Sequence, residues 1–302
     1  MEEKVNELRN YLPIYFESKE NNEFIEYLSI AFVKNVEHER HQFAFIAFHM
    51  LYMSYIFKTN WLLKKLKENN IENLFNRFES LKIFNSIFDL SVIPEKEAVK
   101  FLKCLYFHDN QLGDFFRTVD IRNNCAHASG FVQYRAKEIE DIVAKELEYI
   151  EKIQVKTERL LKKIFKDFLN ENWNPDKRTF GSSEDAIDAF IRMNLLSFKD
   201  IEYLIRFDTP ELGKKSDNKK IIYMKVLYLV FLSAAQKFVD YDGSLFIKKL
   251  PILMHGFKEQ SEVKIETLVN DEFSVLVQSL NDEDKKKFEK TTKVKLEQYQ
   301  YA

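Results

Sequence analysis

Apolar residues recur at three- and four-residue intervals along most of the chain, the spacing that lays one apolar stripe on an α-helix. The longest run follows Gly130. There Ile139, Val143, Leu147, Ile150, Ile153, Leu160, Ile164 and Phe168 hold the period for some forty residues, with Glu and Lys between them. Unbroken, such a helix would be ~60 Å long, so it is expected to kink or to project onto the second half of the chain. The same period predicts helices over 3–17 and 22–35, with Pro13 disturbing the first, then a long apolar helix over 37–68. Further helical stretches are expected over 74–90 and over 95–107, the latter opened by Pro94. Residues 69–73 and 108–114 read as polar breaks. Over 170–183 Pro, Gly and clustered Asn and Ser replace the period, and Ser183-Glu184-Asp185 reads as an N-cap with acids in the first turn. Helices are then expected over 184–194, 198–207, 221–240, 244–257, 262–280 and 282–297, with a charged loop over 208–220. The fold class is all-α: a helical bundle over 1–172, a linker over 173–183 and a second helical region over 184–302.

Composition agrees with that class. The 302 residues are 45% apolar, enough for a core, and Gly and Pro are scarce at 6 and 5 while Phe numbers 28. Against 46 Lys and Arg stand 48 Asp and Glu, so contact with nucleic acid would need a local basic groove and not a basic surface overall. Two cysteines, Cys104 and Cys125, form neither a disulfide framework nor a zinc site of the usual spacing, and are expected as buried thiols in a reducing cytoplasm. The start, Met-Glu-Glu-Lys-Val, is not that of a signal peptide. The most apolar runs, 43–57 and 226–235, are too short to cross a bilayer and read as core helices.

One stretch concentrates the chemistry: Ile121-Arg122-Asn123-Asn124-Cys125-Ala126-His127. A guanidinium fits phosphate oxygens, and an imidazole gives and takes protons near neutrality. On a regular helix Ile121, Cys125, Ala128 and Val132 share an apolar stripe. Asn123, Ala126, His127 and Gly130 fall opposite it, so the polar set is expected to face away from the core. Ala126 and Gly130 leave that face shallow, which suits the approach of an RNA or of a second copy of the helix.

Other clusters are weaker. Glu37-His38-Glu39-Arg40-His41 has its histidines three apart, not at the i and i+4 of a zinc-peptidase helix, and reads as a solvated first turn. Gly213-Lys214-Lys215-Ser216 lacks the register of a phosphate-binding loop, and Asp240-Tyr241-Asp242-Gly243 lacks the remaining acids of a calcium loop. His108 reads as a loop residue and His255 as a helix-end residue. No metal and no cofactor is expected.

Arg122-Asn123-x-x-x-His127, with an aliphatic residue before the arginine, resembles the Arg-x(4–6)-His signature of the HEPN superfamily, in its Arg-Asn-x-x-x-His form. The resemblance covers roughly the first 170 residues and rests mainly on this motif. It implies a small all-α domain, a metal-independent ribonuclease site formed across a two-fold homodimer, and a setting as a toxin or antiviral effector. An antitoxin or other defence-system protein is then an expected partner. Carried over, Arg122 and His127 would be the catalytic pair and Asn123 the residue orienting them. Arg40, from another helix, and Asn124 would add contacts to substrate RNA. Three readings stay open on these residues: an endoribonuclease leaving 2′,3′-cyclic phosphate ends, a non-catalytic dimerisation or binding module of the same fold, or a chance occurrence of the motif on a structural helix.

Overall fold

The computed structural model describes residues 1–67, 71–77, 85–126, 134–172, 182–207, 219–239, 247, 249 and 282–292. Among them every regular element is helical, and the β-pairing is an isolated antiparallel bridge between Pro13 and Ser197. No helix among the described residues is long and apolar enough to cross a membrane. The chain folds as two compact units, Met1–Leu161 with Asn194–Asp200, and Lys162–Met193 with Ile201–Ala302. Of the expected linker, only Ser182 and Ser183 belong to the described residues.

In the first unit α1 (Glu2–Arg9) stops well short of residue 17. Pro13 lacks an N–H and disfavours helix at the residue before it, and the chain turns at 10–12 into the bridge. The next helix, α2 (Lys19–Glu37), begins earlier than its apolar period, because Ser18 caps it by accepting from the Asn21 N–H at 3.2 Å. The expected helix 37–68 is shorter: Glu39 takes a left-handed φ of 56°, and α3 (His41–Lys65) starts beyond that corner. Residues 38–40 therefore join α2 to α3, and Glu37 ends α2 instead of opening α3. The core of the unit is α3. It is apolar on every side and packs against α1, α2, α5 (Glu95–Lys100) and α6 (Asp109–Ala126), burying among others Phe45, Phe48, Leu51, Tyr52, Tyr55 and Ile56.

Between α3 and α5 lie the short α4 (Ile71–Phe75), which begins within the expected break 69–73, and a 3-10 turn over Ile87–Val92 opened by a Ser86/Asp89 capping box. The end of α5 tightens into a second 3-10 turn, Phe101–Leu105, and Tyr106 at a φ of 60° reverses the chain. The expected loop 108–114 is instead the first turns of α6. Gln111 accepts from the His108 N–H at 3.0 Å, and the Asp109 carboxylate sits at the positive end of the helix dipole. Cys104 is buried as expected, but Cys125 is half-buried, because α6 turns it toward the side of the helix and not the core.

Helix α7 (Ala136–Asn172) runs its 37 residues as one helix, ~55 Å long, and every residue of its expected stripe is buried. Asn194–Asp200 returns to complete the first unit. The Ile14 N–H donates to the Leu196 carbonyl at 2.9 Å and the Lys199 N–H to that of Asn10 at 3.0 Å. Asp200, buried, meets the buried Lys58 ammonium at 2.5 Å and the Gln154 amide at 2.8 Å, and accepts from the Ser197 N–H at 2.8 Å. Leu195 takes a left-handed φ of 51° there, a strain of ~1–2 kcal/mol that burial of Leu195 and Leu196 offsets.

The second unit contains α8 (Ser183–Met193), α9 (Phe198–Ile205) from residue 201 onward, α10 (Lys219–Ala235) and α11 (Asp282–Thr292). Its first cap is Ser182, not Ser183: Ser182 Oγ accepts from the Asp185 N–H at 3.0 Å while Asp185 reaches back to the Ser182 N–H at 3.3 Å. Phe165 is the hub of its core, with ring centroids of Phe190, Phe207, Tyr228 and Phe231 at 4.8 to 5.7 Å. The expected helices 244–257 and 262–280, apart from residues 247 and 249, lie outside the described residues, as do His255 and the loops 208–218 and 240–243.

Candidate active site

The motif stretch forms the last turns of α6. Arg122, Asn123 and Asn124 lie there, and His127 lies outside the described residues. Ile121 and Cys125 do not face the core; the buried residues of α6 are Leu112, Phe115, Thr118 and Val119. Helical phase explains the difference. At ~100° per residue, Arg122 falls about 40° from the middle of the Phe115–Val119 stripe and Ile121 about 140° from it. The arginine thus continues the inward face of α6 where the apolar residues end.

Two partners hold its guanidinium. Nη2 pairs with Glu95 Oε1, on the first residue of α5, and Nη1 donates to Asn123 Oδ1 at 2.9 Å. Asn124 is exposed, on the far side of α6 from this pairing. Arg40 is exposed at the N-cap of α3, ~15 Å along that helix from Met50, and does not line the cleft described below. The structure therefore brings Arg122 and Asn123 together and leaves Asn124 and Arg40 apart from them.

Behind Glu95 a chain of ionisable groups runs into the core. Glu95 Oε2 lies 3.4 Å from Nε2 of His49 on α3, and His49 Nδ1 makes a short contact with Glu146 Oε1 on α7. His49 and Glu146 are completely buried. Burial opposes a charge on His49, but Glu146 and Glu95 outweigh it and push its pKa up to about 9, so the imidazole is a cation at neutral pH. Burial raises Glu146 above the usual carboxylate range, against the pull of His49. Burial also acts to raise Glu95, yet His49 and Arg122 together hold it below that range. The series reads Glu146, His49 cation, Glu95 anion, Arg122 cation.

Such a row of charges inside a core is costly and is weak support for stability. Buried side-chain atoms without a hydrogen bond among the described residues also gather here, at His49 Nε2, Glu95 Oε2, Glu146 Oε2 and Tyr52 Oη. Perturbed titrations and unmet polar atoms cluster at functional sites, although structural ion-pair networks also shift pKa values.

The row surfaces in a cleft of about 850 Å³. Glu95, Arg122 and Ala126 form part of its lining, and its walls come from α2, α3 and the turn over 87–94, chiefly Phe24, Met50, Met53, Phe57, Phe88 and Val92. A cationic group held between a carboxylate and a carboxamide, at the edge of an apolar cleft, can receive a phosphate while the rest of a ligand leaves water.

His49, Glu95 and Glu146 were not singled out from the sequence, although a signal was present. His49 sits in the middle of the apolar run 43–57, and Glu146 falls on the same stripe as Val143, Leu147 and Ile150. An ionisable residue at a core position is rare unless paired. Glu95, next to Pro94 at a helix start, looked like an ordinary first-turn acid. In comparison with known proteins, the chain matches no protein-family model, no curated sequence and no solved structure.

Proposed function

We propose that the protein is a metal-independent endoribonuclease of the HEPN kind, acting as a toxin or antiviral effector. The observation that carries the reading is Arg122: it lies in an open cleft, oriented on one edge by Asn123 and on the other by Glu95, with a buried ionic row behind it. In the reaction the 2′-hydroxyl oxygen attacks the adjacent phosphorus, its proton passing to a base, and the bond from phosphorus to the 5′-oxygen breaks as that oxygen takes a proton. His127 moves these protons, and Arg122 neutralises the extra negative charge on the phosphorane. The products are a 2′,3′-cyclic phosphate and a 5′-hydroxyl. A homodimer with two motifs side by side would double the contacts to the transition state.

A second reading is favoured by the same pair: Arg122 engaged with Glu95 would also serve a non-catalytic module, where the ion pair only fastens α5 to α6. Purified protein incubated with RNA in EDTA decides between them. The enzyme leaves cyclic phosphate ends in chelator, loses about 10²- to 10⁴-fold in rate on His127→Ala with RNA affinity kept, and loses both rate and affinity on Arg122→Ala. Intact RNA after incubation at high protein concentration leaves the binding module. Cleavage lost in EDTA and restored by Mg²⁺ replaces the proposed chemistry with a metal-dependent one.

A further inference from the structure

The cleft beside Arg122 is far larger and more apolar than a phosphate needs. Its volume of about 850 Å³ lies within the ~300–1,000 Å³ of sites that enclose an organic ligand. Phe24, Met50 and Val92 stand exposed on its rim, although nothing in the first unit requires three apolar side chains from three separate elements to meet in water at one place. The Phe24 and Phe88 rings meet edge to face with centroids 5.5 Å apart, and Phe88 in turn stacks on Phe16 at 5.9 Å, which fixes that wall.

We propose that this cleft takes one unstacked nucleobase of single-stranded RNA, next to the phosphate held by Arg122; the inference rests on the ribonuclease reading and names the substrate subsite it requires. Three features select a base over other apolar occupants. Aromatic rings and methionine sulfurs are a stacking surface for a flat π-system, the mode by which single strands are held without regard to sequence. The Arg122 guanidinium supplies the cation for the phosphate attached to that base. The lining also carries polar groups: the Asn21 amide nitrogen is spent on Glu17 and Ser86, which leaves its oxygen to accept, and Ser54 Oγ donates to the Met50 carbonyl and keeps its lone pairs. An acyl chain would leave those acceptors dry and unpaired, whereas the ring and exocyclic N–H groups of a base can meet them. A base paired within a duplex cannot enter, so the substrate is an unpaired segment, a loop or a bulge.

The test uses the full chain carrying His127→Ala to stop turnover, and fluorescence anisotropy with a labelled short single-stranded oligoribonucleotide. Phe24→Ala and Met50→Ala, both at solvent-exposed positions, should each weaken binding about 5- to 100-fold, as loss of base stacking does. Tyr27→Ala, on α2 but not in the cleft lining, should leave binding unchanged. An oligonucleotide with abasic sites should bind the parent protein as weakly as the intact one binds the cleft variants. Equal binding by all these proteins overturns the subsite, and if the native chain still cleaves RNA the ribonuclease reading survives that loss. Selective loss in the cleft variants, with no cleavage by the native chain, keeps the subsite and removes the ribonuclease. If Phe24→Ala instead turns a dimer into a monomer by light scattering, with oligonucleotide affinity per protomer unchanged, the face joins two copies of the chain and the base-pocket inference fails.

Discussion

Raising the pH should loosen this protein well before its lysines and tyrosines titrate in bulk, and His49 is the reason. In the unfolded chain an imidazole has a pKa of ~6.5, whereas in the folded protein Glu146 and Glu95 lift that of His49 to about 9. A group whose pKa is raised on folding adds stability that is complete below the unfolded value and is lost as pH climbs through the folded one. At ~1.4 kcal/mol for each pH unit, the interval is worth about 3 kcal/mol. Urea unfolding followed by far-UV circular dichroism, repeated in steps from pH 6.5 to 9.5, should show the unfolding free energy falling by about that amount. The double variant His49→Leu/Glu146→Leu supplies the comparison. Replacing both members of a buried ion pair by apolar residues is often neutral or stabilising, so this protein should fold and its stability should be nearly flat across the same pH range. On the ribonuclease reading proposed above, it should also lose cleavage, because Glu95 no longer has its inner partner. A native protein whose stability is flat or rising over that range refutes the ionic row. A double variant that keeps the fall assigns it to other groups.

Two further outcomes test the scaffold. Asp200→Asn leaves the buried Lys58 ammonium without its counter-charge and should cost about 3–5 kcal/mol by urea unfolding; a loss below about 1 kcal/mol would show that the pair is solvated. Phe165→Ala opens a cavity among the rings of the second unit and should cost about 3–5 kcal/mol, read by the same assay with a fluorescence probe in that unit; a change under about 1 kcal/mol would mean that its neighbours collapse into the space.

What the chain spells out locally, it spells out well. The eight-residue stripe of α7 was legible because each member sits three, four or seven residues from the next, and all are buried. Boundaries that depend on one residue's backbone were not. Nothing in Glu39 announces a left-handed φ, since that conformation belongs by habit to glycine and asparagine, and without it residues 37–65 look like one helix. The motif was legible as a word but not in its orientation. Phase taken from Ile121 onward puts the apolar stripe on Ile121 and Cys125, and only the preceding turns, from Leu112, show that Arg122 continues the inward face. The buried ion pairs were the hardest to read, because their partners are remote: His49 and Glu146 of the ionic row are 97 residues apart, and the separate pair Lys58 and Asp200 is 142 apart. A single strand of text shows that a charge sits on a core stripe, but not which charge meets it.

The segment Asn194–Asp200 gives the first unit a timetable. It closes the bridge to Pro13, covers Asn10 and neutralises Lys58, yet it is made 72 or more residues after Arg122 has left the synthetic centre. At ~5–20 residues per second, the motif-bearing unit waits about 4–16 s for its last piece. Until then an ammonium destined for burial stays in water and the core around α3 stays open on that side. On a nascent chain, the unit that carries Arg122 would reach its finished form only after residue 200 had been added.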